Sequence, residues 1–188
     1  EHPLFISTKG NIESLTQSLT PLLFENFDKA AELLEKATRI FMLGMRSSHG
    51  IVRYGYSLFH QFMSNVYMAD RSSHEELFDD LIDLVPGDCL FAVSCGWPHY
   101  ARRTLEVISV AHSMRIPVVL LTTELSNPAV PLADVVLGIP PGKTHYTMAP
   151  ALTVLEAMVI ELGRRLKASA IIKLRRLEEL LKEKDITL

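Results

Sequence analysis

Short, uninterrupted apolar runs alternate with amphipathic segments along most of the chain. Five runs have strand length and lack polar alternation, at residues 40–43, 66–69, 89–93, 117–121 and 133–139. Apolar strands of this kind are buried on both faces, and helices between them carry the chain back over the sheet. The pattern therefore predicts an α/β fold, a three-layer α/β/α doubly wound sandwich around a five-stranded parallel sheet.

The two ends of the chain differ from this middle part. Residues 1–10 show no periodicity, and we predict a linker or truncation edge there, followed by one domain over residues 11–188. Amphipathic helices are predicted before the first strand, with a break at Pro21. One long helix is predicted from about Ala149 to Lys184. Its apolar residues beyond Ile171 need a partner surface, so we expect a homodimer or higher homo-oligomer.

Composition excludes several classes of protein. With 188 residues, 48% of them hydrophobic, 22% charged and a net charge of -3, the chain is typical of a globular domain and gives no sign of nucleic-acid binding. The apolar runs are too short for a membrane span, and no signal peptide is recognisable. Cys89 and Cys95 lack the spacing of a metal knuckle. We therefore expect a cytoplasmic protein with reduced thiols and without metal or cofactor.

Hydroxyl side chains follow three of the predicted strands. Gly44 ends the first strand and is followed by Ser47 and Ser48, while Ser94 ends the third strand and Thr122 the fourth. The carboxyl ends of parallel strands meet at one edge of the sheet, where doubly wound folds bind ligands. The first turn of a helix also offers free N–H groups to an anion. Either Ser47 simply caps a helix, or these loops together surround a phosphate.

Candidate acid and base residues lie in two places. His74, Glu75 and Glu76 follow Ser73, which forms a capping-box pattern with Glu76 at the start of a predicted helix. A histidine beside carboxylates can shuttle protons, but acids are also favoured in the first turn by the helix dipole. His145 lies in the loop before the last helix, either over the pocket or simply on the surface.

Several pieces together resemble the sugar isomerase (SIS) domain, and more narrowly the effector domain of RpiR-type bacterial transcription regulators. They are Gly44-Met45-Arg46-Ser47-Ser48, Asp88 with Ala92-Val93-Ser94, Tyr100-Ala101-Arg102-Arg103-Thr104, Thr122 with Ser126-Asn127-Pro128-Ala129, and Leu132-Ala133-Asp134. The resemblance implies a flavodoxin-like, usually dimeric module that binds a phosphosugar or a related anionic metabolite. Carried over to this chain, it places Arg46, Ser47, Ser48, Ser94, Cys95, Gly96, Thr122 and Ser126 around the ligand.

The chain departs from the family pattern in two loops. Arg46 stands where the first loop often has a second glycine, and it either binds a phosphate or blocks its place. Cys95 and Trp97 bring apolar bulk to a second loop that is commonly rich in hydroxyls. Because RpiR-type proteins with a first-loop arginine exist, we interpret these departures as a subtype.

Two functions are compatible with this resemblance. The first is a phosphosugar-sensing domain of a transcriptional regulator, whose DNA-binding helix-turn-helix domain is not visible in this chain; its first eleven residues are too short to hold one. DNA would then be bound only through that other domain. The alternative is an aldose-ketose phosphosugar isomerase, with His145, Glu75 and His74 as candidate catalytic residues. We favour the sensor, because no pair of acid and base stands out.

Overall fold

The computed structural model describes residues 1–69, 74–96, 101–143 and 146–185. The α-helices are α1 (Pro3–Ser18), α2 (Pro21–Lys36), α3 (Ser47–Phe62), α4 (His74–Ile82), α5 (Arg102–Ser113), α6 (Ala149–Arg165) and α7 (Lys167–Glu183). The strands are β1 (Ile40–Gly44), β2 (Val66–Met68), β3 (Cys89–Ser94), β4 (Val118–Thr122) and β5 (Val135–Gly138). A 3-10 turn at Val130–Leu132 precedes β5.

All strands in the described part of the chain are parallel and form one sheet in the order β2-β1-β3-β4-β5. This is the flavodoxin-like order, in which the direction of strand addition reverses between β1 and β3. The predicted fold class is therefore confirmed. Strands β1, β3 and β4 are buried along their whole length, which explains why their sequences lack polar alternation.

Alternate strand residues fill two cores on opposite faces of the sheet. Met42 and Phe91 belong to the core covered by α2, α3 and α6. Leu43 and Leu90 belong to the other core, which α4 and α5 cover. The period of two along each strand thus divides the apolar residues between two helical layers.

The amino edge of the sheet, where the strands begin, is closed by charged side chains. Asp88 is buried and forms an ion pair with Arg39, whose Nη2 lies 2.6 Å from Oδ2. The same carboxylate accepts a hydrogen bond from the Val85 N–H at 2.9 Å. Asp134 accepts one from the Val118 N–H at 2.8 Å, at the start of β4. Asp88 and Asp134, which both belong to the stretches that resemble the SIS domain, therefore stabilise the amino edge of the sheet.

Both ends of the chain differ from their predicted secondary structure. Residues 3–10, predicted as part of a linker, form the first half of α1. Its apolar residues Leu4 and Phe5 are exposed, so no one-sided stripe marked the helix. The predicted long last helix is interrupted at Leu166, which has φ −89° and ψ 22°. Beyond the interruption α7 contacts α3, and the two helices line one groove, while helical spacing continues through Leu166. No helix among the described residues is long and apolar enough to cross a membrane.

Candidate functional site

Three loops meet at the carboxyl edge of the sheet, beside the point where the strand order reverses. Gly44 at the end of β1 pairs with Val93 of β3, and Ser94 pairs with Thr122 at the end of β4. The loop after β1 carries Ser47 and Ser48. The structure thus brings together the hydroxyls that the sequence placed at three separate strand ends.

The first loop turns sharply from strand into helix. A Cβ at Gly44 would lie 2.5 Å from the Ser48 carbonyl oxygen, so only glycine permits this close approach. Arg46 follows with φ 55° and ψ −126°, a conformation that a residue with a side chain adopts at a cost. Arg46 is the N-cap residue of α3, and no side chain caps the helix. Ser47 is therefore not the cap. The Ser48 and His49 N–H groups donate to the Met45 and Arg46 carbonyls at 3.0 and 3.1 Å, so the start of α3 offers an anion its helix dipole and the Ser47 N–H.

Ser48 connects the first loop to the second. Its hydroxyl oxygen accepts a hydrogen bond from the Cys95 N–H at 3.0 Å and lies 3.4 Å from the Cys95 carbonyl oxygen. Ser48 is buried, whereas its neighbour Ser47 is exposed. Ser48 therefore fixes the loop geometry, and Ser47 presents its hydroxyl at the surface of the site.

Buried polar contacts connect the second loop to the third. The Asn127 side-chain amide donates to the Ser94 hydroxyl at 2.9 Å, and its carbonyl oxygen accepts from the Ala129 N–H at 3.0 Å. The Thr122 hydroxyl donates to the Ser94 carbonyl at 3.0 Å. Because Ser94 Oγ accepts the amide hydrogen, its own proton remains a donor toward a ligand. Ser126 is exposed and donates to the Glu124 carboxylate at 2.6 Å, away from these contacts.

Tyr146 spans the first two loops, a contact that the sequence analysis missed. Its hydroxyl donates to the Cys95 carbonyl at 2.7 Å and lies 3.0 Å from Ser47 Oγ. A tyrosine has one hydroxyl proton, so Ser47 is the donor in the second bond. Thr147 next to it accepts from the Ala149 N–H and donates to Asn11 of α1 at 2.6 Å. The only sequence signal was position, since Tyr146 lies beside His145 just before α6.

The electrostatics of the site suit an anion. Arg46 is exposed, and no ion pair is recorded for it within the described part of the chain. Burial raises the pKa of the Cys95 thiol to about 12, so this thiol is not a nucleophile at neutral pH. Gly96 follows it at the end of the described second loop. The site therefore offers a guanidinium, hydroxyls and the Ser47 N–H at the start of α3.

The candidate acid and base residues are not assembled by the described structure. His145 lies outside the described residues, as does Ser73, and the side chains of His74 and Glu75 are not described. Glu156 on α6 accepts a hydrogen bond from the Tyr54 hydroxyl at 2.7 Å, which raises the pKa of that tyrosine. Tyr54 lies seven residues after Ser47, where α3 begins, and Glu156 lies seven residues after Ala149, where α6 begins. Each is therefore about 10 Å along its helix from the end that is nearest the loops.

Comparison with known proteins is consistent with this geometry. The profile of the SIS domain matches residues 33–161. An RpiR transcription factor (sugar isomerase domain) from Sphaerobacter thermophilus superimposes with a TM-score of 0.83 at 24% identity, covering 94% of this chain and 98% of that one. The Vibrio vulnificus NanR protein complexed with ManNAc-6P superimposes with a TM-score of 0.82 at 18% identity, covering 97% and 69%.

Enzymes share the same fold. Phosphoheptose isomerase GmhA from Neisseria gonorrhoeae superimposes with a TM-score of 0.71 at 16% identity, covering 86% of this chain and 97% of that one. A search of curated protein sequences finds no match. At these identities the structural likeness establishes the fold, while the profile match over residues 33–161 establishes the family. This chain belongs to the SIS domain family.

Proposed function

We propose that this chain is the phosphosugar-sensing domain of an RpiR-type transcriptional regulator. The observation that carries the proposal is the group of interlocked loops around the uncapped start of α3. Such a site provides donors for a phosphate at the place where this fold class binds ligands. The likeness to NanR, described as complexed with ManNAc-6P, supports a phosphosugar ligand.

In this proposal the phosphate lies over the first turn of α3. The Ser47 hydroxyl and N–H group face it, and the Arg46 guanidinium pairs with its oxygens in the bidentate manner typical of arginine. Ser94 donates its remaining proton from the opposite loop. The buried contacts of Ser48 and Asn127 hold both loops in place before the ligand arrives, which reduces the ordering cost of binding.

A sensor must also respond to its ligand. Ser47 is hydrogen-bonded to Tyr146 in the structure, so a phosphate that accepts the Ser47 proton breaks that bond and leaves the tyrosine bonded to the Cys95 carbonyl alone. Thr147, the next residue, is bonded to Asn11 of α1. Binding therefore changes a contact of the segment that is also bonded to the first helix, and a difference of this kind shifts a conformational equilibrium. An attached DNA-binding domain would read this change.

The isomerase remains the second candidate, because GmhA has the same fold. Isomerisation requires a base that moves a proton between adjacent carbons and an acid that opens the sugar ring. Among the described side chains near the loops, hydroxyls and Arg46 predominate, and Glu156 already accepts the Tyr54 hydroxyl proton. His145, Glu75 and His74 are the residues to test for this activity.

A thermal-shift screen of sugar phosphates, beginning with ManNAc-6P, followed by a turnover assay separates the two functions. The sensor predicts that one phosphosugar raises the melting temperature and is recovered unchanged. Measurable isomerisation that is lost in His145→Ala or Glu75→Ala would establish the enzyme instead. The unphosphorylated sugar is the matched ligand control. Ser113→Ala is the protein control, since Ser113 only donates to the Val110 carbonyl of its own helix.

A further inference from the structure

A groove between α3 and α7 is lined mainly by basic and polar side chains. Its volume is about 350 Å³, near the lower end of the range in which proteins bind small molecules. The described side chains that line it are Arg53, Tyr56, Ser57, His60, Gln61, Lys173 and Leu177. Three of these can carry a positive charge, and none of them is acidic. This α3–α7 groove is therefore a basic site rather than an apolar one.

Lys173 is fixed beside the groove by the end of α3. Its Nζ donates to the carbonyl oxygens of His60 and Met63, so the lysine caps that helix. An ammonium group has three protons, and one of them remains for a further acceptor. Burial lowers the pKa of Lys173, and burial together with Lys173 lowers the pKa of His60. Two partly desolvated basic groups thus lie side by side, an arrangement that an anion would stabilise.

The sequence places no carboxylate beside these basic residues within their own helices. Positions three and four apart are neighbours on a helix, and Lys29 and Lys36 each pair with a glutamate at that spacing. Arg53, His60 and Lys173 have no acidic residue at these positions. Their neighbours are His49, Gly50, Tyr56, Ser57, Met63, Ser64, Ser169, Ala170, Arg176 and Leu177.

Other elements do not supply the missing charge within the described part of the chain. Glu35 shares a neighbouring groove with Lys173, but its carboxylate pairs with Arg165 at 3.1 Å. The Arg53 guanidinium lies 3.8 Å from Met68 Sδ, and a thioether is a weak acceptor. No ion pair of Arg53, His60 or Lys173 is recorded among the described residues. These cations therefore have no counter-ion from the part of the chain that the structure describes.

We propose that the α3–α7 groove is a second anion site, which binds a phosphate group between Arg53, His60 and Lys173. A guanidinium pairs with two phosphate oxygens at once, and an ammonium adds a point charge. The Tyr56 ring stacks on the His60 ring with 5.1 Å between centroids, which holds the imidazole in place. Ser57 and Gln61 add neutral donors for the remaining oxygens.

This groove is separate from the carboxyl edge of the sheet. Arg53 lies six residues after Ser47 and Gln61 fourteen, which corresponds to about 9 and about 21 Å along α3. The inference therefore does not depend on the proposed phosphosugar site. A phosphate in the groove would connect α3 to α7, so its binding should stabilise the packing of the last helix.

Titration with inorganic phosphate, followed by NMR of the His60 imidazole protons, tests the site. The signals are assigned by their loss in His60→Gln, and sodium chloride keeps the ionic strength constant. We expect a saturable shift in the wild-type chain, and a dissociation constant about fivefold higher in Arg53→Gln. Arg115→Gln is the matched control and should leave the constant unchanged, since Arg115 is an exposed arginine beyond the end of α5.

A built-in counter-ion provides the second test. Ser57→Glu places a carboxylate four positions after Arg53 and three before His60. Because it supplies the missing negative charge, this variant should melt at a higher temperature than the wild type. Its phosphate dissociation constant should rise at least about tenfold. Ser57→Gln has a side chain of the same size without the charge and should retain most of the affinity.

Three results would overturn the proposal. The first is a His60 signal that does not respond to phosphate, or responds without saturating. The second is a saturable response that is the same in Arg53→Gln as in the wild type, which would leave Lys173 only as the cap of α3. The third is a Ser57→Glu variant that binds phosphate as tightly as Ser57→Gln, which would show that the anion does not enter this groove.

Discussion

The two edges of the sheet are built from the ends of the same strands but use charge in opposite ways. At the amino edge, Asp88 is buried, and its carboxylate is saturated by Arg39 and the Val85 N–H. At the carboxyl edge, Arg46 is exposed on a backbone with φ 55°. A paired, buried charge stabilises the fold, whereas an exposed, strained one is typical of residues retained for binding.

Hydrogen bonding shows the same contrast. Asp134 at the amino edge accepts a hydrogen bond from the Val118 N–H at the start of β4, a contact within the fold itself. The carboxyl edge also contains internal bonds, such as Ser48 with Cys95, but they hold loops around an uncapped helix start. We infer that the amino edge contributes stability and the carboxyl edge contributes recognition. Substitutions at the two edges should therefore separate these properties.

The largest expected effect is on stability, from Asp88→Asn. The substitution keeps the shape of the side chain but removes the charge that Arg39 and the Val85 N–H bind. Hydrogen bonds to charged groups contribute about 1.5–3 kcal/mol, so the free energy of unfolding should fall by about that amount. Urea denaturation measures it, with Asp28→Asn on the exposed side of α2 as control. A change in phosphosugar affinity with unchanged stability would contradict the division between edges.

The dependence of the free energy of unfolding on pH should also show that the Asp88 carboxylate stabilises the fold. Burial alone would raise the pKa of Asp88, but the hydrogen bonds from Arg39 and Val85 outweigh it and lower the pKa below its ordinary value of 3.8. Because the pKa of Asp88 is lower in the folded than in the unfolded state, the charged carboxylate stabilises the fold, and this stabilisation is complete at pH values above the unfolded-state pKa. This stability is lost as the pH falls through the folded pKa. Asp88→Asn should flatten this part of the curve, and an unchanged curve would contradict the assignment.

Substitution of Arg46 at the carboxyl edge should instead weaken ligand binding without lowering the free energy of unfolding. Arg46→Ala removes the guanidinium and should weaken phosphosugar binding about tenfold. Arg46→Gly should weaken binding equally, yet raise the free energy of unfolding by about 1 kcal/mol, because glycine adopts this backbone conformation without strain. Titration calorimetry and urea denaturation of both variants measure the two effects. Tighter binding in either variant would mean that the arginine blocks the phosphate.

The smallest expected effect is at Tyr146. Tyr146→Phe removes the bond that occupies the Ser47 hydroxyl in the free protein, so phosphosugar affinity should rise about threefold. Tyr67→Phe provides the control, since Tyr67 lies on the edge strand β2 and stacks on Phe41. Weaker binding in Tyr146→Phe would show that the tyrosine hydroxyl contacts the ligand.

Much of the fold followed from local patterns. The strands were predictable because residues such as Leu90 and Leu120 are buried on a sheet covered on both faces, which leaves an unbroken apolar run. The start of α1 was missed because its apolar residues are exposed. The break at Leu166 was missed because helical spacing continues through it. In both places the outcome depends on surfaces that the local pattern does not encode.

The candidate site was predictable only in part, for a related reason. Ser47, Ser94 and Thr122 could be placed together, since parallel strands bring their carboxyl ends to one edge. Asn127 and Tyr146 could not, because each contacts a residue far away in sequence. Their hydrogen bonds depend on the tertiary structure, and no spacing in the sequence predicts them.

The central claim is that the carboxyl edge binds a phosphosugar, and its most direct test is titration calorimetry of wild type and Ser47→Ala/Ser94→Ala. The titrant is the sugar phosphate that gives the largest thermal shift. Ser113→Ala/Ser169→Ala removes two hydroxyls that only donate within their own helices and serves as control. The loss of even one bond to a charged group costs about 1.5–3 kcal/mol, so the double variant should bind at least about tenfold more weakly while remaining folded. Unchanged affinity in that variant would contradict the account.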